Sequence, residues 1–74
     1  MNIDPQSPKH PYKQVAARLR EQINRGEITA QLPSITDLTA QTGLAVGTVR
    51  RAIGILVKEG LVQTVPGRGT FVKR

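Results

Sequence analysis

The residues of this chain whose types and spacing can do chemistry are arginines set beside glycines and hydroxyls. Arg50 and Arg51 follow Val46-Gly47-Thr48, Arg68 stands between Gly67 and Gly69, and Ser34 and Thr36 flank Ile35. A guanidinium is a planar fork of donors that matches phosphate and base edges. Glycine lets backbone approach a ligand closely. The chemistry on offer is recognition of a polyanion. His10 stands alone in the sequence and cysteine is absent, so no set of metal ligands or nucleophile-base pair can be assembled around them. No catalytic residue, metal or cofactor is expected.

The charge distribution points the same way. Of the formal +6, residues 1–37 hold five basic and four acidic side chains, whereas residues 38–74 hold six basic ones against Glu59, which leaves +5 in the second half. Such asymmetry favours nucleic acid or an anionic membrane surface. A span is excluded, because the longest apolar run, 55–57, is far short of the ~20 residues a bilayer needs. The opening Met1-Asn2-Ile3-Asp4-Pro5 lacks the basic and apolar regions of a secretion signal, and a cytoplasmic location is expected.

Seventy-four residues support one modest core, and with Tyr12 and Phe71 the sole aromatics, aliphatic side chains must build it. Pro5, Pro8 and Pro11 set residues 1–10 apart as a flexible arm before a single domain over 11–74. Tyr12, Val15, Ala16, Leu19 and Ile23 share one helical face, which predicts a first helix over 11–25 that opens on Pro11 and stops at Gly26. In the connector over 27–33, Ile28 and Leu32 are the expected core anchors. Ser34-Ile35-Thr36-Asp37 has the form of a capping box, so a second helix runs over 35–42 and ends at Gly43. A third, over 46–59, buries Val49, Ala52, Ile53 and Leu56 and stops at Gly60.

Two helices across a tight glycine turn suggest a helix-turn-helix. Short β-branched runs over 61–65 and 70–73 enclose Pro66-Gly67-Arg68-Gly69, where Pro66 and Gly67 suit a type II turn, so a hairpin follows. The expected fold is mainly α with a small β-hairpin: a winged helix-turn-helix, three helices plus a two-stranded wing.

Taken in order, Pro11-Tyr12, Gln14-Val15-Ala16, Gly26-Glu27, Leu32-Pro33-Ser34, Leu38, Thr48-Val49-Arg50, Glu59-Gly60-Leu61-Val62 and Gly67-Arg68-Gly69-Thr70-Phe71-Val72 resemble the DNA-binding domain of the GntR family of bacterial transcription regulators. Three stretches depart from the family pattern. Ile35-Thr36 stands where the family has an acidic residue and arginine, and Ala45-Val46 where it has Ser or Thr followed by arginine. The stretch over 26–32 is shorter and lacks a Pro-Gly turn. The architecture can be carried over; the family's base preferences cannot.

The resemblance implies a double-stranded DNA-binding transcription regulator, a repressor, with the third helix in the major groove and the wing at the minor groove. Its exposed early positions, Val46, Gly47, Thr48, Arg50 and Arg51, would meet base edges. Arg50 is the first choice for pairing with guanine, an arrangement worth about 1–3 kcal/mol of discrimination. Free amides beside Ser34 and Thr36 would hold a phosphate, and Arg68, with Gly67 and Gly69, would enter the minor groove. Arg51, Lys58, Lys73 and Arg74 would add phosphate attraction. The helix start and the glycine-bordered loop must then face the same side.

A homodimer on a two-part operator is the expected assembly. Larger members of the family carry a C-terminal effector domain; this chain ends directly after the wing, as a piece of such a protein or a stand-alone regulator would, and no effector pocket is evident in it. Two alternatives remain: an accessory recombination or architectural DNA-binding factor, and a protein-interaction winged-helix module, whose mark would be an apolar exposed face.

Overall fold

The computed structural model describes residues 3–4 and 6–73. Three helices, α1 (Pro11–Asn24), α2 (Ile35–Thr42) and α3 (Val46–Lys58), precede two strands, β1 (Val62–Val65) and β2 (Gly69–Val72). The winged helix-turn-helix expected from the sequence is the fold found, with element ends shifted by one residue or so.

Local chemistry accounts for the boundaries. Pro11 opens α1 at the position where its missing N–H costs nothing. At the other end Gly26 takes a φ of 76°, and the Gly26 and Glu27 amides return to the Ile23 and Gln22 carbonyls, which satisfies groups the helix leaves open. The capping box at α2 is complete: the Asp37 amide donates to Ser34 Oγ at 3.0 Å, and the Ser34 amide donates to the Asp37 carboxylate at 3.3 Å. Between α2 and α3 the turn is only Gly43, Leu44 and Ala45. The Thr42 hydroxyl donates to the Leu38 carbonyl at 2.6 Å and accepts the Leu44 amide at 3.2 Å, which pins the chain as it reverses.

One core joins these elements. Val15, Ala16 and Leu19 of α1, Leu38 of α2, Val49, Ala52, Ile53 and Leu56 of α3, Leu32 of the connector and Val62 of β1 are all buried. Each fully buried aliphatic side chain contributes about 1.5–3 kcal/mol by leaving water. Of the two expected anchors, Leu32 is buried and Ile28 packs half-buried against the cluster.

Helices α1 and α3 lie side by side and point the same way. Arg51, midway along α3, packs over the Tyr12 ring in the first turn of α1, and Arg20 binds Glu59 just past the end of α3, the two contacts standing eight residues apart along each segment. At 1.5 Å per residue that separation is about 12 Å.

The wing pairs antiparallel, with Val62 opposite Val72 and Val65 opposite Gly69. Its turn is the type II turn that Pro66-Gly67 predicts: Gly67 has φ 76°, and the Arg68 amide donates to the Val65 carbonyl at 3.0 Å. The connector is more ordered than its sequence signals. The Leu32 amide donates to the Thr70 carbonyl at 2.9 Å, the Val72 amide donates to the Ala30 carbonyl at 2.6 Å, and Gln31 bridges to Phe71. Residues 30–32 thus cover the outer edge of β2, so the wing is fastened to the body along its length.

The proline-rich leader also carries more contacts than a free arm would. The Gln14 side chain accepts the Asp4 amide at 2.9 Å and donates to the Asp4 and Lys9 carbonyls, while Ile3 packs against the core. Met1, Asn2, Pro5 and Arg74 lie outside the described residues, so the phosphate role expected of Arg74 has no structural counterpart here.

Candidate nucleic-acid interface

The residues singled out in the sequence come from three places, and the fold brings most of them to one side. Ser34 and Thr36 at the start of α2 line a single cleft with Gly67, Arg68 and Gly69 of the wing, about 400 Å³ in volume. Arg50 lines an adjoining recess with Gly54 and Val57 of α3, Ile35 of α2 and Thr64 and Thr70 of the wing. Ile35, Thr64 and Thr70 border both hollows, so the start of α2, the stretch 50–57 of α3 and the wing present one continuous surface.

At the beginning of α3, Val46 and Gly47 are exposed and Thr48 is half-buried. Ala45 supplies no side-chain cap. The leading amides of α3 therefore keep no side-chain partner at their N-cap, and the partial positive charge of a helix start faces outward. Val46 is one of two large apolar side chains markedly exposed among the described residues, at 47%; it stands at the tip of α3, where burial in the core is not available to it.

Arg51 does not join Arg50. Consecutive helical residues diverge by about 100°, and Arg51 turns to the α1 side, where its guanidinium carbon lies 4.2 Å from the Tyr12 ring centroid. From the sequence, Arg51 is expected to face the bases with Arg50; the two instead face different flanks of α3.

The ion pairs sort the arginines. Arg25 binds Glu21 at 2.7 Å and reaches Glu27 at 4.0 Å, and Arg18 lies 3.9 Å from Glu21. Arg20 forms a two-pronged pair with Glu59, its Nε donating to Oε1 at 2.8 Å. That hydrogen bond is the main reason the Glu59 carboxyl is held below its ordinary pKa and the Arg20 guanidinium above its own. The two aspartates accept backbone amides instead, Asp4 from Gln6 and Asp37 from Ser34. Among the described residues, the arginines left without a carboxylate are Arg50 and Arg51, midway along α3, and Arg68 at the wing tip.

Sequence reasoning missed two residues that shape this surface. Gln31 donates to the Arg68 carbonyl at 3.2 Å and so holds the wing tip. Tyr12, read as a core residue of α1, is only partly buried and carries Arg51 on one contact and the stacked His10 ring, 5.7 Å away, on another. A helical-face pattern assigns Tyr12 to the core and offers no signal that an arginine 39 positions later will lie on it. No group of three His, Cys, Asp or Glu side chains among the described residues could hold a metal ion. Among the described residues, no helix is long and apolar enough to cross a membrane.

Comparison with known proteins decides the kinship. Residues 11–72 match the family described as bacterial regulatory proteins, gntR family. The chain belongs to the GntR family. Among GntR relatives, the HTH-type transcriptional repressor NagR of Bacillus subtilis is 43% identical over all of this chain and 31% of its own length. The repressor MngR of the mannosyl-D-glycerate transport and metabolism system of Escherichia coli is 41% identical over 84% of this chain and 27% of its own length. This GntR chain thus spans about a third or less of those two relatives.

Solved structures agree with the fold. YtrA from Sulfolobus acidocaldarius, a GntR-family transcription factor, superposes with a TM-score of 0.88 at 37% identity, covering 99% of this chain and 79% of its own. The AraR DNA-binding domain in complex with operator ORX1 superposes with a TM-score of 0.84 at 35% identity, over 97% of this chain and 95% of that one.

Proposed function

We propose that this chain is the DNA-binding part of a transcription repressor that reads double-stranded DNA in a sequence-specific manner. The observation that carries the reading is the placement of the arginines without a carboxylate partner among the described residues: Arg50 and Arg68 border the adjoining hollows between α3, the start of α2 and the wing, and Arg51 lies on the α1 flank of the same helix. The names of NagR and MngR as repressors, and the AraR domain in complex with its operator, support the same reading.

In this reading the first half of α3 enters the major groove. Arg50 meets a base edge, Val46 touches a thymine methyl, Gly47 lets the helix backbone come close, and Thr48 offers a hydroxyl to phosphate and a methyl to thymine. Amides of Ile35 and Thr36, beside the Ser34 cap, hold a phosphate oxygen with the help of the α2 dipole. Arg68, lifted between Gly67 and Gly69, enters the minor groove. Lys58 and Lys73 add general attraction. Two copies bind a pair of half-sites, the protein works in the cytoplasm, and it performs no reaction of its own. Because Ile35-Thr36 and Ala45-Val46 replace polar and charged residues of the usual family pattern, the bases preferred differ from those of relatives that carry the arginines.

Two measurements test this. Affinity for random duplex falls steeply as salt rises, because each neutralised phosphate releases counterions. Selection from a random duplex pool then recovers an inverted repeat. Binding that ignores salt, or a pool that yields no preferred site, refutes the reading.

A further inference from the structure

We infer that Tyr12 is a positioning residue for DNA binding: its ring holds the Arg51 guanidinium in place for a phosphate on the wall of the groove that α3 enters. The inference rests on the DNA-binding reading above and adds to it a residue outside the reading surface.

The geometry has three parts. First, α3 is about 10–12 Å across with its side chains, and a major groove is about 12 Å wide, so the helix fills the groove and its flanks face the phosphate walls. Arg50 borders the wing side of α3 and Arg51 the α1 side. A residue on that second flank meets backbone, not bases. Second, Arg51 is exposed and has no carboxylate partner among the described residues; the contact that orders it is the Tyr12 face at 4.2 Å. A stacked guanidinium spends its π face on the ring and leaves its in-plane N–H donors free. A glutamate in the place of Tyr12 would order Arg51 equally well and cancel the charge a phosphate needs. Third, Tyr12 is itself fixed. It belongs to the first turn of α1, His10 stacks on it with planes 15° apart, and Gln14 ties the leader chain back onto the same helix. Arginine carries large rotamer entropy, and restricting it before the DNA arrives removes a cost of binding.

The test is a double-mutant cycle on the 74-residue chain, with affinity read on random duplex and on the selected site over a range of salt. Arg51→Gln is expected to weaken both and to lower the slope of log affinity against log salt by about one. Tyr12→Leu, which keeps apolar bulk without a ring face, is expected to weaken binding about 2- to 5-fold. In the Arg51→Gln background the same change has little effect, and Tyr12→Phe restores what Tyr12→Leu loses. Thermal unfolding of each variant accompanies the binding data, since a purely structural tyrosine would move stability and leave no coupling with Arg51. An Arg51→Gln protein with unchanged affinity and salt slope overturns the proposal. So does a Tyr12→Leu loss that is equal in both backgrounds. Failure of the unmodified chain to bind any duplex removes the DNA reading itself, a result seen before any variant is made.

Discussion

Gln31 donates its side-chain amide to the Arg68 carbonyl, and the same nitrogen lies 2.7 Å from where a Cβ on Gly69 would stand. Gly69 also has a φ of 124°, which side-chain-bearing residues rarely adopt. The wing tip is therefore built on a glycine for two separate reasons. Gly69→Ala is expected to cost about 1–3 kcal/mol through backbone strain and the approach of Gln31. Gln31→Ala is expected to spare global stability while speeding amide hydrogen exchange at 67–69. Thermal unfolding and exchange rates check both; an alanine at 69 with an unchanged midpoint would show that neither constraint is felt.

Ser34 is placed to cap α2 and, in the proposed function, to stand beside a bound phosphate. The two roles separate by substitution. Ser34→Ala should lower stability by about 0.5–2 kcal/mol through loss of the cap. Ser34→Asn and Ser34→Asp both retain a capping oxygen and so stay close to the wild-type midpoint, but only the aspartate sets a negative charge against a phosphate. Duplex affinity should fall for Asp and hold for Asn. Equal affinity of the two variants would remove the phosphate from this end of α2.

The Arg20–Glu59 pair makes a pH-dependent contribution whose sign follows from the carboxylate. The bond to Arg20 lowers the folded-state pKa of Glu59 below its ordinary value, so the stabilisation is present above that ordinary value and is lost as pH falls through the folded one. Glu59→Gln should unfold at a lower temperature than wild type at neutral pH, and the gap should close in acid. Both side chains are partly exposed, so the gap is small and narrows in high salt. A difference that persists unchanged into acid would assign the effect to something other than the ion pair.

Arg50→Ala should weaken binding to the selected site more than Lys73→Ala does. Arg50 borders the recess between α3 and the wing, whereas Lys73 follows the last residue of β2. A lost bidentate base contact carries about 1–3 kcal/mol and relaxes the preference at one position. A lost phosphate contact weakens all sequences alike. Competition assays with single-base changes in the site would reveal the difference, and equal small losses would exclude Arg50 from base reading.

Local signals carried most of the fold. The spacing of Val15, Ala16 and Leu19, the Ser34–Asp37 box, the glycines at 26, 43 and 60, and Pro66-Gly67 each act within a few residues, and each appears in the structure where the chain predicts it. What escaped notice is long-range. Ala30, Gln31 and Leu32 show no β alternation, because their pairing with β2 uses backbone groups that any sequence supplies. Arg51 on Tyr12 and Arg20 on Glu59 each join positions 39 apart, a register that exists only once α1 and α3 lie together. The same register explains why two neighbouring arginines part company: Arg51 faces α1 because α1 begins beside it.

Parallel packing of α1 and α3 also separates charge along the molecule. Glu21, Glu27 and Glu59 stand in the last turn of α1 or beyond the far ends of these helices, each already spent on an arginine, while Arg50 and Arg51, midway along α3, have no carboxylate partner among the described residues. A body polarised in this way turns in the field of a polyanion before touching it, so collisions with a duplex arrive already oriented and association quickens as the ionic atmosphere thins.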